Sequence, residues 1–469
     1  MRKTKIVCTV GPASDSPEVL EAMIRAGMNV ARLNFSHGTH EEHQRRIGAI
    51  RRIADKLREP VAILQDLSGP KIRVGKVKEG GIELKRGSTF VLTNQPVAGD
   101  EQRVSVNYPS LPDEVRSGDR ILLADGTIEL QVLKSDGRDI ESRVLVGGPL
   151  TSFKGINVPG GTIQAAAFTE KDQEDLRFGI ANGVDLVALS YVRDAADIGR
   201  VREFLRSRSV HLPVIAKIER KEALENIDEI LAASDGIMVA RGDLGLETPI
   251  ERIPSVQKKL IRKANRLGKP VITATQMLRS MVDHNLPTRA EATDVVNAVY
   301  DGTDAVMLSE ETAIGRFPVE SVMMMSKIAR AAEEEFPFDH FSQRGLEGGT
   351  DLPQAISYAA SLLAEAVKAA AIVTPTESGS TARWVSRQRP RQPILALSRH
   401  PSVLRQINLC WGVRPVPVPE WKDTDDMFER SKKLPKEMGL AFEGDRIVII
   451  AGVPISTPGT TNLIKVETL

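Results

Sequence analysis

Four charged side chains near the ends of predicted strands have the chemistry needed to bind a small polyanion together with a metal ion. Lys217 and Glu219 alternate with Ile218 in one apolar run, so both point to the same face of that strand. Glu219 and Asp243 are hard oxygen ligands that suit one Mg²⁺ or Mn²⁺, with substrate oxygens and water completing the shell. Arg32 and Lys217 add positive charge. The set indicates phosphoryl transfer or enolate chemistry.

A structural explanation of part of this set stays open. Lys217 and Glu219 alone also fit a salt bridge inside a barrel, and the addition of Asp243 and Arg32 is what favours a site. Polar or small residues end nearly every other predicted strand, which an inert scaffold does not require. They are Asn34, Ser36, Asp66, Ser190, Gly242, Thr275, Ser309 and Glu311.

Alternating strands and helices are predicted to position these residues. Three strands precede a β-rich segment and five follow it: Lys5–Val10, Asn29–Phe35, Val61–Leu67, Asp185–Val192, Val214–Glu219, Gly236–Ala240, Val271–Gln276 and Ala305–Ser309. Eight strands alternating with helices predict an α/β protein with a (β/α)8 TIM barrel interrupted after its third strand. A doubly wound sheet stays possible, because periodicity alone does not prove closure of the sheet.

Two further units are predicted from changes in pattern. Residues 70–162 have little helical periodicity and many turn signals, which predicts an inserted small β-barrel domain. Phe336-Pro337-Phe338 and the stretch Gly345–Thr350 are typical of a linker. The predicted division is residues 1–69 and 163–337 for the barrel, 70–162 for the insert, and 338–469 for a C-terminal α/β domain.

Composition excludes several classes of protein. The chain has 469 residues, 63 Lys and Arg against 62 Asp and Glu, and a net charge of +1, which argues against a general nucleic-acid binder. Two distant cysteines, Cys8 and Cys410, rule out a disulfide framework and favour a reducing compartment. No apolar run approaches the ~18–20 residues of a membrane span, and Ile6–Val10 is too short for a signal peptide. We expect a cytoplasmic enzyme without a membrane partner.

The chain resembles the pyruvate kinase family over essentially all of its length. The resemblance rests on KTKIVCTVGPAS, MNVARLNFSHG, DLSGPKIR, KGINVPG, PVITATQML and TESGSTAR, and most specifically on IAKIE and MVARGDLG. It implies the same order of barrel, inserted β domain and C-terminal domain. It also implies a glycolytic kinase that transfers the phosphoryl group of phosphoenolpyruvate to ADP, giving pyruvate and ATP.

The resemblance implies a role for each matching position. Contacts to phosphoenolpyruvate or the moving phosphoryl group are implied for Arg32, Lys217, Gly242, Asp243 and Thr275. The divalent Mg²⁺ or Mn²⁺ is assigned to Glu219 and Asp243, and the phosphates of ADP or ATP to Arg73 and Lys154. Ser309 and Glu311 match polar residues on the side from which the enolate receives its proton.

A monovalent-cation site is implied with a departure from the family pattern. Its matching positions are Asn34, Ser36, Asp66 and, through its carbonyl, Leu67. Leu67 replaces the common Thr, and Lys71 replaces the Glu of potassium-requiring members. Lys71 can supply the same positive charge covalently, so we expect that K⁺ is not required. The alternative is that Lys71 is simply solvated where barrel and insert meet.

A phosphate-binding loop is predicted in the C-terminal domain. Thr376, Ser378, Ser380 and Thr381 lie between a predicted strand and a predicted helix, where free amides and the helix dipole favour phosphate. Ordinary N-capping by Ser380 or Thr381 is the alternative. A second loop, Pro454–Thr461, could close over the site. Members of the family often bind a sugar phosphate or nucleotide here, which implies an allosteric effector and a homotetramer.

Two other functions stay open. One is a Mg²⁺-dependent barrel lyase or aldolase acting on 2-oxo acids, which would need neither the insert nor Arg73 and Lys154. The other is a non-catalytic effector-binding homologue, which should have lost part of the Lys217, Glu219 and Asp243 set. No Walker A pattern is present. The spaced His37, His40 and His43 are more simply explained as a solvated first helical turn than as metal ligands.

Overall fold

The computed structural model describes residues 1–161, 163–342, 351–454 and 459–469. The predicted linker stretch Gly345–Thr350 and residues 455–458 of the predicted second effector loop lie outside the described residues. Along the described ranges, no helix has the length and apolar character needed to cross a membrane.

The chain begins with three parallel strands and the helices between them. These elements are β1 (Lys5–Thr9), α1 (Pro17–Ala26), β2 (Val30–Asn34), α2 (His40–Leu57) and β3 (Ala62–Asp66). The side chain of Ser16 caps α1, and Pro17 lies in its first turn. Helix α2 starts with a capping box in which Thr39 and Glu42 bond to each other's backbone. Both helices therefore begin where local sequence directs them to begin.

The insert is all-β apart from one short helix, as predicted. It consists of β4 (Ile82–Leu84), β5 (Thr89–Thr93), β6 (Arg103–Ser105), α3 (Leu111–Glu114), β7 (Arg120–Leu123), β8 (Ile128–Ser135), β9 (Asp139–Val146), β10 (Gly148–Leu150) and β11 (Ile156–Asn157). Its strands pair as one six-stranded and one two-stranded sheet. Buried side chains from both sheets share a single apolar cluster, so the insert has a core of its own.

The alternation of strand and helix then resumes. The elements are α4 (Glu170–Ala181), β12 (Leu186–Leu189), α5 (Ala195–Arg206), β13 (Val214–Ile218), α6 (Lys221–Glu225), α7 (Ile227–Ala233), β14 (Gly236–Ala240), α8 (Arg241–Glu247), α9 (Ile253–Arg266), β15 (Val271–Ala274), α10 (Arg289–Asp301), β16 (Ala305–Leu308), α11 (Glu310–Ala313) and α12 (Pro318–Glu334). Short 3₁₀ turns cover Ile250–Arg252 and Arg279–Val282.

Eight of these strands close into a parallel barrel. Around the barrel the order is β1, β16, β15, β14, β13, β12, β3 and β2. The prediction of a (β/α)8 barrel is confirmed, and closure rules out the doubly wound alternative. A large apolar cluster lies between strands and outer helices, and a smaller one fills the barrel. The carboxyl ends of all eight strands consequently meet at one mouth.

The C-terminal unit is a second α/β layer structure. Its elements are α13 (Phe338–Ser342), α14 (Leu352–Ala366), β17 (Ala371–Pro375), α15 (Ser380–Arg387), β18 (Ile394–Ser398), α16 (Pro401–Ile407), β19 (Val413–Pro417), α17 (Thr424–Glu437), β20 (Arg446–Gly452) and β21 (Thr461–Thr468). The strand order is β19, β18, β17, β20, β21, with only β21 antiparallel to its neighbour. The prediction of a C-terminal α/β domain is confirmed.

Candidate active site

Asp66, the last residue of β3, is the centre of the charged cluster at the barrel mouth. Its carboxylate accepts from Arg32 Nε at 2.6 Å and lies 3.2 Å from Lys217 Nζ. Burial alone would raise the pKa of Asp66, but the charges of Lys217 and Arg32 outweigh it and lower that pKa. Asp66 is therefore ionised and forms ion pairs with both Arg32 and Lys217.

Lys217 has a partner for each of its three ammonium protons. Besides Asp66, Nζ lies 2.9 Å from Glu219 Oε1 and donates to Ser190 Oγ at 2.7 Å. Burial opposes the charged form, but the carboxylates of Asp66 and Glu219 prevail and raise the pKa of Lys217. The ion pair with Glu219 exists, as the salt-bridge explanation required, yet it is one part of a larger cluster at the mouth.

Arg32 is held by β1 as well as by β3. Its Nη1 donates to Thr9 Oγ1 at 2.8 Å, and that hydroxyl donates onward to the Leu308 carbonyl at 3.0 Å. Thr9 is the last residue of β1 and is buried. Thr9 was not among the predicted site residues, although its position at a strand end was the available signal.

Glu219 and Asp243 are the carboxylates that fit a divalent ion. Glu219 is buried, and burial together with the neighbouring charge of Asp243 raises its pKa against the effect of Lys217. A hard divalent cation bound to both carboxylates would offset the repulsion between them. Carboxylate oxygens are also the ligands that Mg²⁺ and Mn²⁺ prefer. No group of three or more potential His, Cys, Asp or Glu ligands occurs in the described ranges. Substrate oxygens and water would supply the other ligands.

Asp243 and Gly242 lie in the first turn of α8, a seven-residue helix that the sequence analysis did not predict. The amide of Gly242 donates to Thr275 Oγ1 at 2.8 Å, which brings the ends of β14 and β15 together. Thr275 has a φ of +71° and Gln276 a φ of +55°. Left-handed backbone at two successive non-glycine residues costs ~1–3 kcal/mol each and is typical of functional sites.

Ser309 and Glu311 follow β16 at the same mouth. Glu311 is buried and accepts from the amides of Ser309 at 2.7 Å and Leu278 at 3.1 Å. Burial raises the pKa of its carboxyl group. The Ser309 hydroxyl is buried and has no hydrogen-bond partner among the described residues.

The predicted monovalent ligands also come together. Asn34 and Asp66 are register partners at the ends of β2 and β3. The Asn34 side-chain oxygen accepts from the Ser36 amide at 3.1 Å, and the Leu67 carbonyl accepts from Ser190 Oγ at 2.7 Å. Lys71 lines the same cavity as Ser36. These oxygens are near one another but already engaged.

Arg73 and Lys154 lie where the insert joins the barrel. Arg73 Nη1 donates to the Phe153 carbonyl at 2.9 Å, and its backbone bridges to Gly155. Lys154 is exposed. An open cavity between insert and barrel is lined by Lys71, Arg73 and Lys171. This cavity therefore has a basic lining.

Of the three histidines predicted to form a solvated turn, His37 is exposed, whereas His40 and His43 are engaged with neighbouring side chains. His43 is buried, stacks on Phe35 with ring centroids 4.1 Å apart, and bonds to the His37 carbonyl. His40 stacks on Phe178 and pairs with Asp175 at 2.7 Å. Stacking against two phenylalanines explains the spacing of His40 and His43, which lie three residues apart on one face of α2.

The predicted effector loop forms a cleft at the start of α15. Gly379, with a φ of +79°, is the N-cap, and neither Ser380 nor Thr381 caps the helix through its side chain. Thr376 Oγ1 accepts from the Gly379 amide at 2.9 Å, and Thr381 bonds to Thr461 at 2.7 Å. The N-capping alternative is therefore wrong.

Hydroxyl groups dominate the lining of this cleft, to which Thr376, Ser378, Ser380, Thr381, Thr460 and Thr461 contribute. Ser378 and Ser380 lie within hydrogen-bond distance of each other at 3.2 Å. Of the second loop, residues 455–458 lie outside the described residues, whereas Gly459 and Thr461 border the cleft.

A closed barrel whose mouth brings together two cations and two carboxylates suited to a divalent ion is typical of enzymes that act on small anionic substrates. The chain matches the family models described as pyruvate kinase, barrel domain, over residues 1–322, and pyruvate kinase, alpha/beta domain, over residues 354–467. It is 51% identical over 470 residues to "Pyruvate kinase 2" of Synechocystis sp., covering 99% of this chain and 79% of that protein.

Two further relatives agree with this result. "Pyruvate kinase" of Geobacillus stearothermophilus is 50% identical over 472 residues, covering 100% of this chain and 80% of that protein. "Pyruvate kinase" of Staphylococcus aureus is 48% identical over 470 residues, with the same coverage. The chain belongs to the pyruvate kinase family.

Proposed function

We propose that the chain transfers the phosphoryl group of phosphoenolpyruvate to ADP, producing pyruvate and ATP in glycolysis. The observation that carries the proposal is the cluster at Asp66, where Arg32 and Lys217 converge beside Glu219. Phosphoenolpyruvate is an enol trapped as a phosphate ester, and its transferable group spreads negative charge over three oxygens. Preorganised cations in a buried site stabilise that charge strongly.

Each residue around the cluster has a defined task in this proposal. Arg32 and Lys217 bind the phosphoryl group, and Gly242, Asp243 and Thr275 border the pyruvate moiety. Glu219 and Asp243 would hold the Mg²⁺ or Mn²⁺, which supplies charge neutralisation at the phosphoryl and enolate oxygens when bound. The rival lyase or aldolase would need neither the insert nor Arg73 and Lys154.

Arg73 and Lys154 are proposed to bind the phosphates of ADP and ATP. Their position at the junction of insert and barrel supports this, because a nucleotide there would face the phosphoryl group across the cavity. Movement of the insert toward the mouth would exclude water and limit hydrolysis of the transferable group.

The enolate must then gain a proton on carbon. A threonine hydroxyl is a poor acid, so Thr275 would act through water rather than directly. Ser309, with its unpartnered hydroxyl, and the buried Glu311 beside it are proposed to hold that water chain. Their placement at the end of β16 supports access from the side opposite Lys217.

We further propose that the protein is a cytoplasmic homotetramer whose subunits have the three predicted domains. A phosphorylated metabolite that binds in the cleft of α15 would regulate it, and its activity would not require K⁺. Two buried free thiols suit a reducing compartment. The hydroxyl-rich cleft supports the effector site. The position of Lys71 beside Ser36 supports the replacement of K⁺.

The function is tested by a coupled assay for pyruvate, run with and without ADP and Mg²⁺. We expect pyruvate to form only when both are present, whereas ADP-independent formation would favour the lyase or aldolase. Lys217→Met should lower turnover by about 10²–10³, as expected when one preorganised charge donor is lost. Arg32 still neutralises Asp66 in this variant, so the fold should persist, which circular dichroism can check.

Lys221→Met is the matched control, because Lys221 is an exposed lysine four residues further along whose ammonium lies 3.7 Å from Glu225. It should retain wild-type turnover. Near-normal turnover of Lys217→Met would contradict the role of Lys217, and a wild-type chain that forms no pyruvate would contradict the proposed activity.

A further inference from the structure

Ser190 connects the cation at the mouth to the backbone of the barrel. It follows β12, is only 2% exposed, and lies between Lys217 and Leu67. Its hydroxyl accepts from Lys217 Nζ at 2.7 Å and donates to the Leu67 carbonyl at 2.7 Å. Asp66 Oδ1 is a second, more distant acceptor at 3.4 Å, so the single proton of the hydroxyl has its shorter bond to the Leu67 carbonyl.

The residue after Ser190 holds the neighbouring carboxylate. Tyr191 has a φ of +55°, and its amide donates to Glu219 Oε2 at 2.8 Å. One two-residue turn thus contacts both the ammonium of Lys217 and the carboxylate of Glu219. Such a strained turn is retained where the surrounding structure requires its geometry.

Substrate binding must change the partners of Lys217. The three protons of its ammonium are committed to Ser190, Asp66 and Glu219. If Glu219 binds a divalent ion and Lys217 donates one proton to a phosphoryl oxygen, the ammonium of Lys217 would keep only Ser190 and Asp66 as protein partners. Ser190 is the neutral one, so it orients the ammonium without cancelling the charge that the substrate needs.

We propose that Ser190 is a positioning residue for phosphoryl transfer, whose hydroxyl holds the ammonium of Lys217 in place when Glu219 is withdrawn from it. This inference rests on the proposed function. In this proposal Ser190 acts through Lys217 and does not touch the substrate, because its hydroxyl is already bonded to Lys217 and the Leu67 carbonyl.

The test compares Ser190→Ala, Ser190→Thr and Ser321→Ala in the full chain. Ser321 is a fully buried serine of α12 that donates to the Phe317 carbonyl at 2.7 Å, so its variant loses a similar backbone bond without touching a cation. We expect kcat of Ser190→Ala to fall about tenfold to a hundredfold, the range for one hydrogen bond to a charged group. The KM for ADP should not change, Ser190→Thr should recover most of kcat, and Ser321→Ala should equal wild type.

A double-mutant cycle separates positioning from structure. In the Lys217→Met background, Ser190→Ala should have no further effect on kcat, because the group that it orients is absent. An equal loss in both backgrounds, or no loss in Ser190→Ala alone, would overturn the inference.

Calorimetry with phosphoenolpyruvate and Mg²⁺ in the absence of ADP gives an independent readout. The affinity should fall about tenfold in Ser190→Ala and stay unchanged in Ser321→Ala. A wild-type chain that binds phosphoenolpyruvate yet makes no pyruvate would refute the proposed function while leaving this comparison intact. Equal affinities for wild type and Ser190→Ala would refute the role of Ser190.

Discussion

At the scale of single residues, the mouth of the barrel is organised by pairing each cation with one shared carboxylate and one hydroxyl. Asp66 binds both Arg32 and Lys217, Thr9 completes the partners of Arg32, and Ser190 those of Lys217. Long basic side chains lose considerable conformational freedom when fixed. Arg32 and Lys217 each have these two partners before substrate binds. The conformational entropy of their side chains is therefore lost during folding and not during the reaction.

Lys71 allows the proposed independence from K⁺ to be tested. Its ammonium contributes to the positive potential that, with burial and the charge of Arg73, lowers the pKa of His37. The ammonium of Lys71 would supply the positive charge that a bound K⁺ would otherwise supply. We expect equal rates in K⁺ and in tetramethylammonium at equal ionic strength for wild type, and a dependence on K⁺ of tenfold or more for Lys71→Glu.

Lys76→Glu provides the control, because Lys76 is exposed in the insert and the variant carries the same change of charge. It should show no dependence on K⁺. A wild-type chain that is activated tenfold by K⁺ would show that Lys71 does not replace the cation.

Part of this residue-scale arrangement could be predicted from the sequence. Alternation in one strand places Lys217 and Glu219 on one face, and strand ends predict where Arg32 and Asp243 meet. The bond between Arg32 and Asp66 joins residues 34 positions apart, and that between Lys217 and Ser190 joins residues 27 apart. Such pairs depend on the register of neighbouring strands, which no local pattern specifies.

At the scale of elements, the predicted strands were found because each is a short apolar run ended by polar residues. Alternation of strands and helices predicts one helix between β13 and β14, but two are present, α6 and α7. They meet at Asn226, whose side chain donates to the Arg193 carbonyl at 3.0 Å. Helix α8 was missed because its two glycines lower helix propensity, and the contact of its Gly242 with Thr275 compensates. Tertiary contacts decided both differences.

Two helical glycines of the barrel give a prediction at this scale. A Cβ on Gly179 of α4 would lie 1.9 Å from the side-chain oxygen of the buried Gln65, whose amide nitrogen is held by the Asp175 carbonyl. A Cβ on Gly199 of α5 would meet nothing within 4 Å. We expect Gly179→Ala to destabilise the barrel by ~1–3 kcal/mol through overpacking. Gly199→Ala should stabilise it by ~0.5–1 kcal/mol through helix propensity.

The first thermal unfolding transition of each variant checks this pair. Opposite shifts of Tm are expected from one substitution at two helical positions. A Gly179→Ala variant as stable as Gly199→Ala would mean that helix α4 moves away from β3 without loss, contrary to the tight contact with Gln65.

At the scale of the whole molecule, one helix joins the effector cleft to the barrel. Helix α15 begins at the cleft, and Arg389, just beyond its end, is buried and donates to Asp304 at 2.9 Å. Asp304 also accepts from the Trp411 amide at 3.1 Å. It directly precedes β16, whose other end carries Ser309 and Glu311 at the mouth. Buried contacts therefore connect the end of α15 to β16, and a movement of α15 can be transmitted through them to the residues at the barrel mouth.

The effector proposal is tested at this same scale, since its ligand must act across the contact between α15 and the barrel. At low phosphoenolpyruvate, fructose 1,6-bisphosphate, ribose 5-phosphate and AMP are each titrated against wild type and Thr376→Ala/Ser378→Ala. One of them should lower half-saturation in wild type and lose its effect in the double variant, because the cleft supplies hydroxyl donors and the first-turn amides of α15. Ser402→Ala, an exposed position of the same unit, should respond as wild type does. A double variant that responds identically would place the ligand elsewhere, and a chain that responds to none would have no effector of this chemistry.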